Sequence, residues 1–212
     1  KEKNLIGGTG DDQLVGSSKN NVITANAGND VLIGSTGRNV VDGGSGKDTA
    51  RFGDEDNVVD LRDSLPQETG TGLDQLISIE NLDGESGDDK LIGDQRKNRL
   101  YGRLGDDTLI GHGGTDRLYG GQGQDRLNGG VGDDYLFGGS DQDLFVASLG
   151  HDIVRDFELG QDLIQIDSFS NYEFNIQGGH LRIDFGNDSS LLLENVEISD
   201  FMALSSNPIV IT

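Results

Sequence analysis

Residues 120–137 read GGQGQDRLNGGVGDDYLF, two nine-residue units laid end to end. Each opens Gly-Gly, carries Gly at its fourth position, Asp at its sixth and a large apolar residue at its eighth. Gly and Asp are poor formers of helix and strand, so a fixed period of them needs another source of order. Extending the register outward finds it in two runs. From Gly7, five nonads reach Arg51: GGTGDDQLV, GSSKNNVIT, ANAGNDVLI, GSTGRNVVD and GGSGKDTAR. From Gly84, seven more reach Val146: GESGDDKLI, GDQRKNRLY, GRLGDDTLI, GHGGTDRLY, GGQGQDRLN, GGVGDDYLF and GGSDQDLFV. Position 1 is Gly in eleven of the twelve units, with Ala25 the exception. Position 6 is always Asp or Asn, and position 8 is always apolar, from Leu14 to Phe145.

Each position has a physical task. Glycines at positions 1, 2 and 4 admit positive φ and a tight turn with exposed carbonyls. Positions 7 to 9 make a very short strand whose position-8 side chain points inward. One nonad is then a turn plus a strand, and two make a full coil. Stacked coils bury a ladder of apolar side chains between two short parallel sheets. Turns n and n+2 therefore lie on one side, one coil apart.

Composition narrows the function. The 212 residues hold 38 acidic and 16 basic side chains, for a net charge of -22. Such a chain excludes nucleic acid as a natural partner and disfavours an anionic membrane surface. A polyanion this dense repels itself when compact, unless cations neutralise it. There is no Cys for disulfides or thiolate metal sites, and His112, His151 and His180 are too scattered for a zinc cluster. No apolar run approaches the ~20 residues of a membrane-spanning helix, so no membrane insertion is expected. The opening KEKNLIGG is no signal peptide and starts inside a repeat-like phrase, so the chain is read as a fragment of a longer protein.

The nonads resemble the RTX (repeats in toxin) calcium-binding family, whose consensus is GGxGxDxUx. The resemblance covers residues 7–51 and 84–146 directly. It implies an all-β parallel β-helix (β-roll) with several Ca2+ ions between turns n and n+2, held by the position-6 Asp of each and by turn carbonyls. Oxygen-only ligation of this kind suits a hard cation. Carried over residue by residue, the ligand set in the first block is Gly8, Gly10, Asp12, Gly28, Asp30, Gly44, Gly46 and Asp48. In the second it is Gly87, Asp89, Gly105, Asp107, Gly114, Asp116, Gly121, Gly123, Asp125, Gly130, Gly132, Asp134, Gly139 and Asp143. The phrase ASLGHD adds Gly150 and Asp152. Fully acidic pairs in that block are 89/107, 107/125, 125/143, 116/134 and 134/152. In the first block Asp12, Asp30 and Asp48 line one side, and Asn21 and Asn39 the other.

The Asn units each carry a basic residue at position 4 or 5: Lys19, Arg38, and Arg96 with Lys97. Two readings stand level: these turns lack calcium because a side-chain cation replaces it, or Asn is a tolerated residue in a weakly binding turn. Asp141 departs from the motif at position 4 and makes the 125/143 site the weaker one.

Four regions follow: RTX block 1 (residues 1–51), an interrupting linker (52–83), RTX block 2 (84–155) and a β-rich C-terminal cap (156–212). In the linker, TGTGLDQLI (69–77) reads as a stray nonad with Asp74 at position 6, and the stretch before it, with Pro66, as a loop excursion. In the cap, the segments around LIQID, YEFNIQ, HLRIDF and SLLLENVEI are strand-like. A cap is required because the last coil would otherwise expose its apolar ladder and strand edges. The final SNPIVIT reads equally as a terminal strand and as the extreme C-terminus that the resemblance associates with type I secretion machinery.

The leading expectation is a non-enzymatic, calcium-dependent folding and secretion module, secreted to the cell exterior or surface. The alternative is a carbohydrate-binding or adhesive module, with extracellular polysaccharide as partner, attached to a polysaccharide-modifying enzyme or adhesin. Its feature would be an aromatic strip in which Tyr101 and Tyr119 lie one coil apart, with Phe137 placed on the opposite side. Stacking of the two tyrosines simply to stabilise the coil is the favoured reading of that pair. No nucleophile and base stand at readable spacing, so any catalytic domain is placed upstream.

Overall fold

The computed structural model describes residues 3–70, 72–166, 172–186, 188–204 and 208–211. The repeat generates the architecture it implies, an almost entirely β structure wound as a parallel solenoid. The turn of the central unit shows why glycine recurs: Gly121 and Gly123 sit at φ +133° and +119°, a region side chains rarely adopt. At position 2, Arg103 at +86° and His112 at +75° keep the same left-handed geometry without glycine. Asp141 at +80° does likewise, so its unit keeps the turn despite lacking Gly.

Strand residues alternate between surface and core. In Arg117–Gln122, Leu118 is buried while Arg117 and Tyr119 face outward. Leu91, Leu100, Leu109, Leu118, Leu127, Leu136 and Phe145 are each fully buried, and every such leucine contributes about 2 kcal/mol of burial.

One wall is continuous from end to end. An eleven-stranded sheet runs from Gln13–Val15 through Thr49–Arg51, Asn81–Asp83 and Arg99–Leu104 to His151–Val154 and Ser190–Leu193. Leu32, Ala50, Leu82, Leu100 and Leu118 are successive partners in it. Both repeat runs thus share one sheet. The opposite wall is broken. A five-stranded sheet carries Asn21–Thr24, Gly37–Asp42 and Gly72–Ile77, and a seven-stranded sheet carries Val58–Asp60, Lys90–Ile92 and Thr108–Gly113.

The break arises in residues 52–83, and its interior differs from the loop excursion expected there. FGDEDNVVD is a degenerate nonad: Val58–Asp60 is a strand, Val59 is fully buried, and Val59 pairs with Leu91. The stray nonad behaves as expected, with Gly72–Ile77 parallel to Gly37–Asp42 and Leu76 opposite Val41. Two strands therefore occupy the stretch where a regular coil would put one, and Gln67–Glu68 turns back antiparallel on Gly72–Ile77. The repeat pauses only between the two.

The C-terminal segments close the far end. Ser190–Leu193 adds a parallel strand to His151–Val154, after which His180–Asp184 and Glu173–Gln177 pair antiparallel. Antiparallel pairing ends the coil period. A one-turn helix, Ile198–Met202, lays Phe201 against Phe174 with ring centroids 5.5 Å apart. Ile209–Ile211 of the terminal phrase is a strand beside Leu163–Ile166, while residues 205–207 and 212 lie outside the described residues. No helix among the described residues is long and apolar enough to cross a membrane.

Candidate metal centre

Position-6 side chains form two hydrogen-bonded ladders along the turns. On one edge the backbone N–H of Asp89 donates to Asp107 Oδ1 at 2.8 Å, Asp107 to Asp125 at 2.9 Å, and Asp125 to Asp143 at 3.0 Å. On the other edge Asp116 donates to Asp134 at 2.7 Å and Asp134 to Asp152 at 3.1 Å. In the first block Asp12 donates to Asp30 at 2.7 Å and Asp30 to Asp48 at 2.9 Å. The N–H of Asp48 donates in turn to the carboxylate of Glu80, and Asn98 donates its side-chain amide to the Glu80 carbonyl. The Asp12–Asp48 edge thereby runs on into that of Asn98, Asp116 and Asp134.

Each rung uses one carboxylate oxygen and strands the other. Oδ2 of Asp30, Asp48, Asp89, Asp107, Asp116, Asp125, Asp134 and Asp143 is buried with no hydrogen-bond partner. Eight such atoms cannot be incidental, because a buried acceptor left unpaired costs on the order of 1–3 kcal/mol. All but that of Asp30, whose unit begins with Ala25, face the position-1 glycine of their own turn. A Cβ on Gly120 would lie 2.2 Å from Asp125 Oδ2 and 2.6 Å from the Gly138 carbonyl oxygen of the next coil. On Gly111 it would meet Asp116 Oδ2 and the Gly129 carbonyl at 2.4 and 2.5 Å. Position 1 is glycine because carboxylate and carbonyl oxygens converge there. The glycines at positions 2 and 4 do something different, stacking coil on coil: a Cβ on Gly123 would meet the Gly105 carbonyl oxygen at 2.1 Å.

Burial disfavours the ionised form of these acids. It raises Asp89 to about 6, Asp107, Asp116 and Asp143 to about 7, and Asp125 to about 8. Asp48 and Asp134 are raised by the same cause. No group of three or more acidic or His side chains among the described residues converges on one point. A cation here would rest on paired carboxylates and backbone carbonyls, a donor set suited to calcium and unsuited to zinc.

The Asn turns are built otherwise. The Asn21 side-chain amide donates to the carbonyls of Ser17 (2.9 Å), Lys19 and Gly34 (3.2 Å). That of Asn39 donates to the Ser35 carbonyl at 2.9 Å and to Asp74 Oδ1 at 2.7 Å. An amide N–H thus fills the place that stays electron-rich and empty-handed in the Asp turns. Lys19, Arg38 and Lys97 make no ion pair among the described residues, although the charge of Lys97 favours the ionised form of nearby Asp116, and Arg96 pairs outward with Asp94 and Glu80.

Ladder ends are closed by donors too. Oδ2 of Asp12 accepts from the Gly8 N–H, of Asp74 from the Thr69 hydroxyl, of Asp152 from the Ser148 hydroxyl and of Asp162 from the Glu158 N–H. Asp162, whose Oδ1 accepts from the Asp143 N–H, escaped the sequence reading because it follows Asp143 by 19 residues, not 18. Asn57 beneath Asp89 escaped it because Phe52 stands where position 1 expects Gly.

The aromatic strip is longer than expected and corrects the placement of Phe137. Tyr101, Tyr119 and Phe137 stack at centroid distances of 4.8 and 4.6 Å. Phe137 follows Tyr119 by the same two nonads that separate Tyr119 from Tyr101, so all three share one wall. The Arg103 guanidinium lies over Tyr101. Stacking occupies both faces of Tyr119, and the strip ties three coils together.

Stacked turns with paired, orphaned carboxylates on a parallel solenoid define a calcium-binding β-roll. The model of the family described as RTX calcium-binding nonapeptide repeat (4 copies) matches residues 6–41, 24–59, 79–95, 83–118, 92–127 and 119–154. The chain belongs to that family. Repeats of this kind are typical of secreted proteins. No curated protein sequence matches the chain. Among solved structures, it is similar to the AlgE6R3 subunit of the Azotobacter vinelandii mannuronan C5-epimerase (26% identity, 57% of this chain and 81% of that one, TM-score 0.44). It is also similar to the extracellular lipase LipA of Serratia marcescens (19% identity, 100% of this chain and 40% of that one, TM-score 0.31).

Proposed function

We propose that this β-roll is a calcium-dependent folding and export module. The observation that carries the reading is the set of eight buried, unpartnered carboxylate oxygens, with turn carbonyls beside those of Asp116 and Asp125. A ligand that binds the stacked coil and not the extended chain turns its binding energy into folding energy. Extracellular calcium modules bind at about 10⁻⁴–10⁻³ M. In calcium-poor cytosol the sites stay empty, and a chain of net charge -22 remains open and competent for the type I secretion machinery. Outside the cell the ions enter and the coils close. The pairs assigned to calcium are 30/48, 89/107, 107/125, 125/143, 116/134 and 134/152, with turn carbonyls completing each site. The 12/30 and 134/152 pairs are weaker, because Asp12 spends Oδ2 on the Gly8 N–H and Asp152 spends Oδ2 on the Ser148 hydroxyl. The module itself carries no catalytic step in this reading, and the 21/39 turns take no ion.

Far-UV circular dichroism in millimolar calcium and in chelator tests the proposal. A β spectrum that collapses on chelation and returns with calcium supports it. A folded spectrum indifferent to chelator removes it.

A further inference from the structure

In a chain with 38 acids, four of the 16 basic side chains gather in one place. Lys47, Arg96, Lys97 and Arg99 line a cavity of about 280 Å³ on the continuous wall, where the two repeat runs meet. The degenerate coil between the runs makes the recess. Asn81 stands in register between Thr49 and Arg99, and it is a short side chain drawn inward, its amide donating to the Asp48 carbonyl and the Thr49 hydroxyl. Ile79 below it is buried. The coils on either side raise walls of Lys47 and of Lys97 with Arg99. Glu80, the acid at this recess, is already engaged by Arg96. Lys47, Lys97 and Arg99 make no ion pair among the described residues. An adjoining cavity of about 420 Å³ shares Lys47, Asn81 and Arg99, and adds Asn29, Asp30, Thr49 and the edge of Tyr101.

We propose that this recess binds an acidic saccharide, a sugar unit bearing a carboxylate or sulfate. Lys47, Lys97 and Arg99, clustered without ion-pair partners among the described residues, stand at a cost that an anion relieves, and a guanidinium holds a planar carboxylate or a sulfate through paired N–H bonds. The cavities exceed what a bare inorganic ion fills, since one water occupies about 30 Å³. Their neutral lining of amides, a hydroxyl and a phenol edge matches ring hydroxyls. A nucleic acid strand fits poorly, because beyond this patch it would meet a surface of strongly negative net charge. Among the described residues, no aromatic side chain lines the basic cavity itself, so charge and hydrogen bonding, not stacking, carry recognition here.

The test is calorimetric titration of the calcium-loaded chain with a tetrasaccharide of uronic acid units, beside a neutral glucose tetrasaccharide, inorganic sulfate and an oligonucleotide. Circular dichroism on each sample reports folding separately, so a failure of the calcium reading is distinguished from a failure of this one. Saturable binding of the acidic tetrasaccharide is expected, weakened about tenfold or more by Lys97→Gln with Arg99→Gln. Lys90→Gln, on the opposite wall, should leave it unchanged. No binding of the acidic sugar, or equal binding by the double variant, overturns the site. Equal binding of the neutral sugar overturns the role of charge. Equal binding of sulfate or the oligonucleotide reduces the recess to a general anion site and overturns the saccharide assignment.

Discussion

Asp125 takes the backbone N–H of Asp107 on Oδ1 at 2.9 Å and keeps Oδ2 buried without a partner. The same carboxylate therefore does two jobs, tying one coil to the next and holding an oxygen in reserve. Asn39 occupies an equivalent rung, yet its amide donates to the Ser35 carbonyl and to Asp74 Oδ1, where Asp125 offers only an unpaired oxygen. The contrast between these residues makes the turns separable by experiment.

Replacing Asp125 with Asn should remove the two calcium sites it shares with Asp107 and Asp143. The amide then donates where a cation would sit. Calcium stoichiometry by calorimetry should fall by about two ions, while the spectrum at saturating calcium keeps its β signature.

The reverse change, Asn39→Asp, removes donors to Ser35 and Asp74 and sets a second carboxylate against Asp74. The folded state should lose on the order of 1–3 kcal/mol. Urea titration at limiting calcium measures the loss, and partial recovery at saturating calcium would show that a new site has formed.

At Gly120, glycine is required by oxygen atoms rather than by φ. Gly120→Ala puts a methyl 2.2 Å from Asp125 Oδ2 and 2.6 Å from the Gly138 carbonyl oxygen. Something must shift, at a cost of about 1–3 kcal/mol. The calcium midpoint of folding should move to higher concentration, read by circular dichroism against the unsubstituted chain.

The carboxylates also set a pH dependence. Asp107, Asp116 and Asp143 are raised to about 7 and Asp125 to about 8 in the folded chain, against about 3.9 for an unfolded Asp. The calcium-free fold then binds more protons than the unfolded chain between those values. Its stability from these groups is complete below about pH 4 and is lost as pH rises through about 7 to 8. In calcium-free buffer the β spectrum should be retained near pH 4–5 and lost as pH rises through about 7 to 8, and calcium uptake near pH 7 should release protons measurable in weak buffer.

Much of this molecule could be read from residue order. The period placed the core ladder from Leu14 to Phe145, and residue spacing put Asp107, Asp125 and Asp143 on one edge with Asp116 and Asp134 on the other. It did so because each nonad contacts mainly its neighbours in the stack, so local pattern and tertiary neighbour are nearly the same thing. Legibility failed where a unit lost its glycine or gained a residue. FGDEDNVVD hid Asn57 and Val59 behind Phe52, and Asp162 fell one residue out of phase with Asp143.

By itself, the sequence determined the all-β coil, its calcium-type donors and the two alternating ladders, since turn geometry and side-chain direction are local properties of nine residues. Only the tertiary structure decided which carboxylate oxygens stay unpaired, because that depends on donors arriving from other coils. Gly8, Thr69, Ser148 and Glu158 close the ends, and the amides of Asn21 and Asn39 fill their own turns. It also decided that both repeat runs share one wall while the other wall splits. Pairing between Thr49–Arg51 and Asn81–Asp83 spans 32 residues, a separation that no nine-residue period encodes.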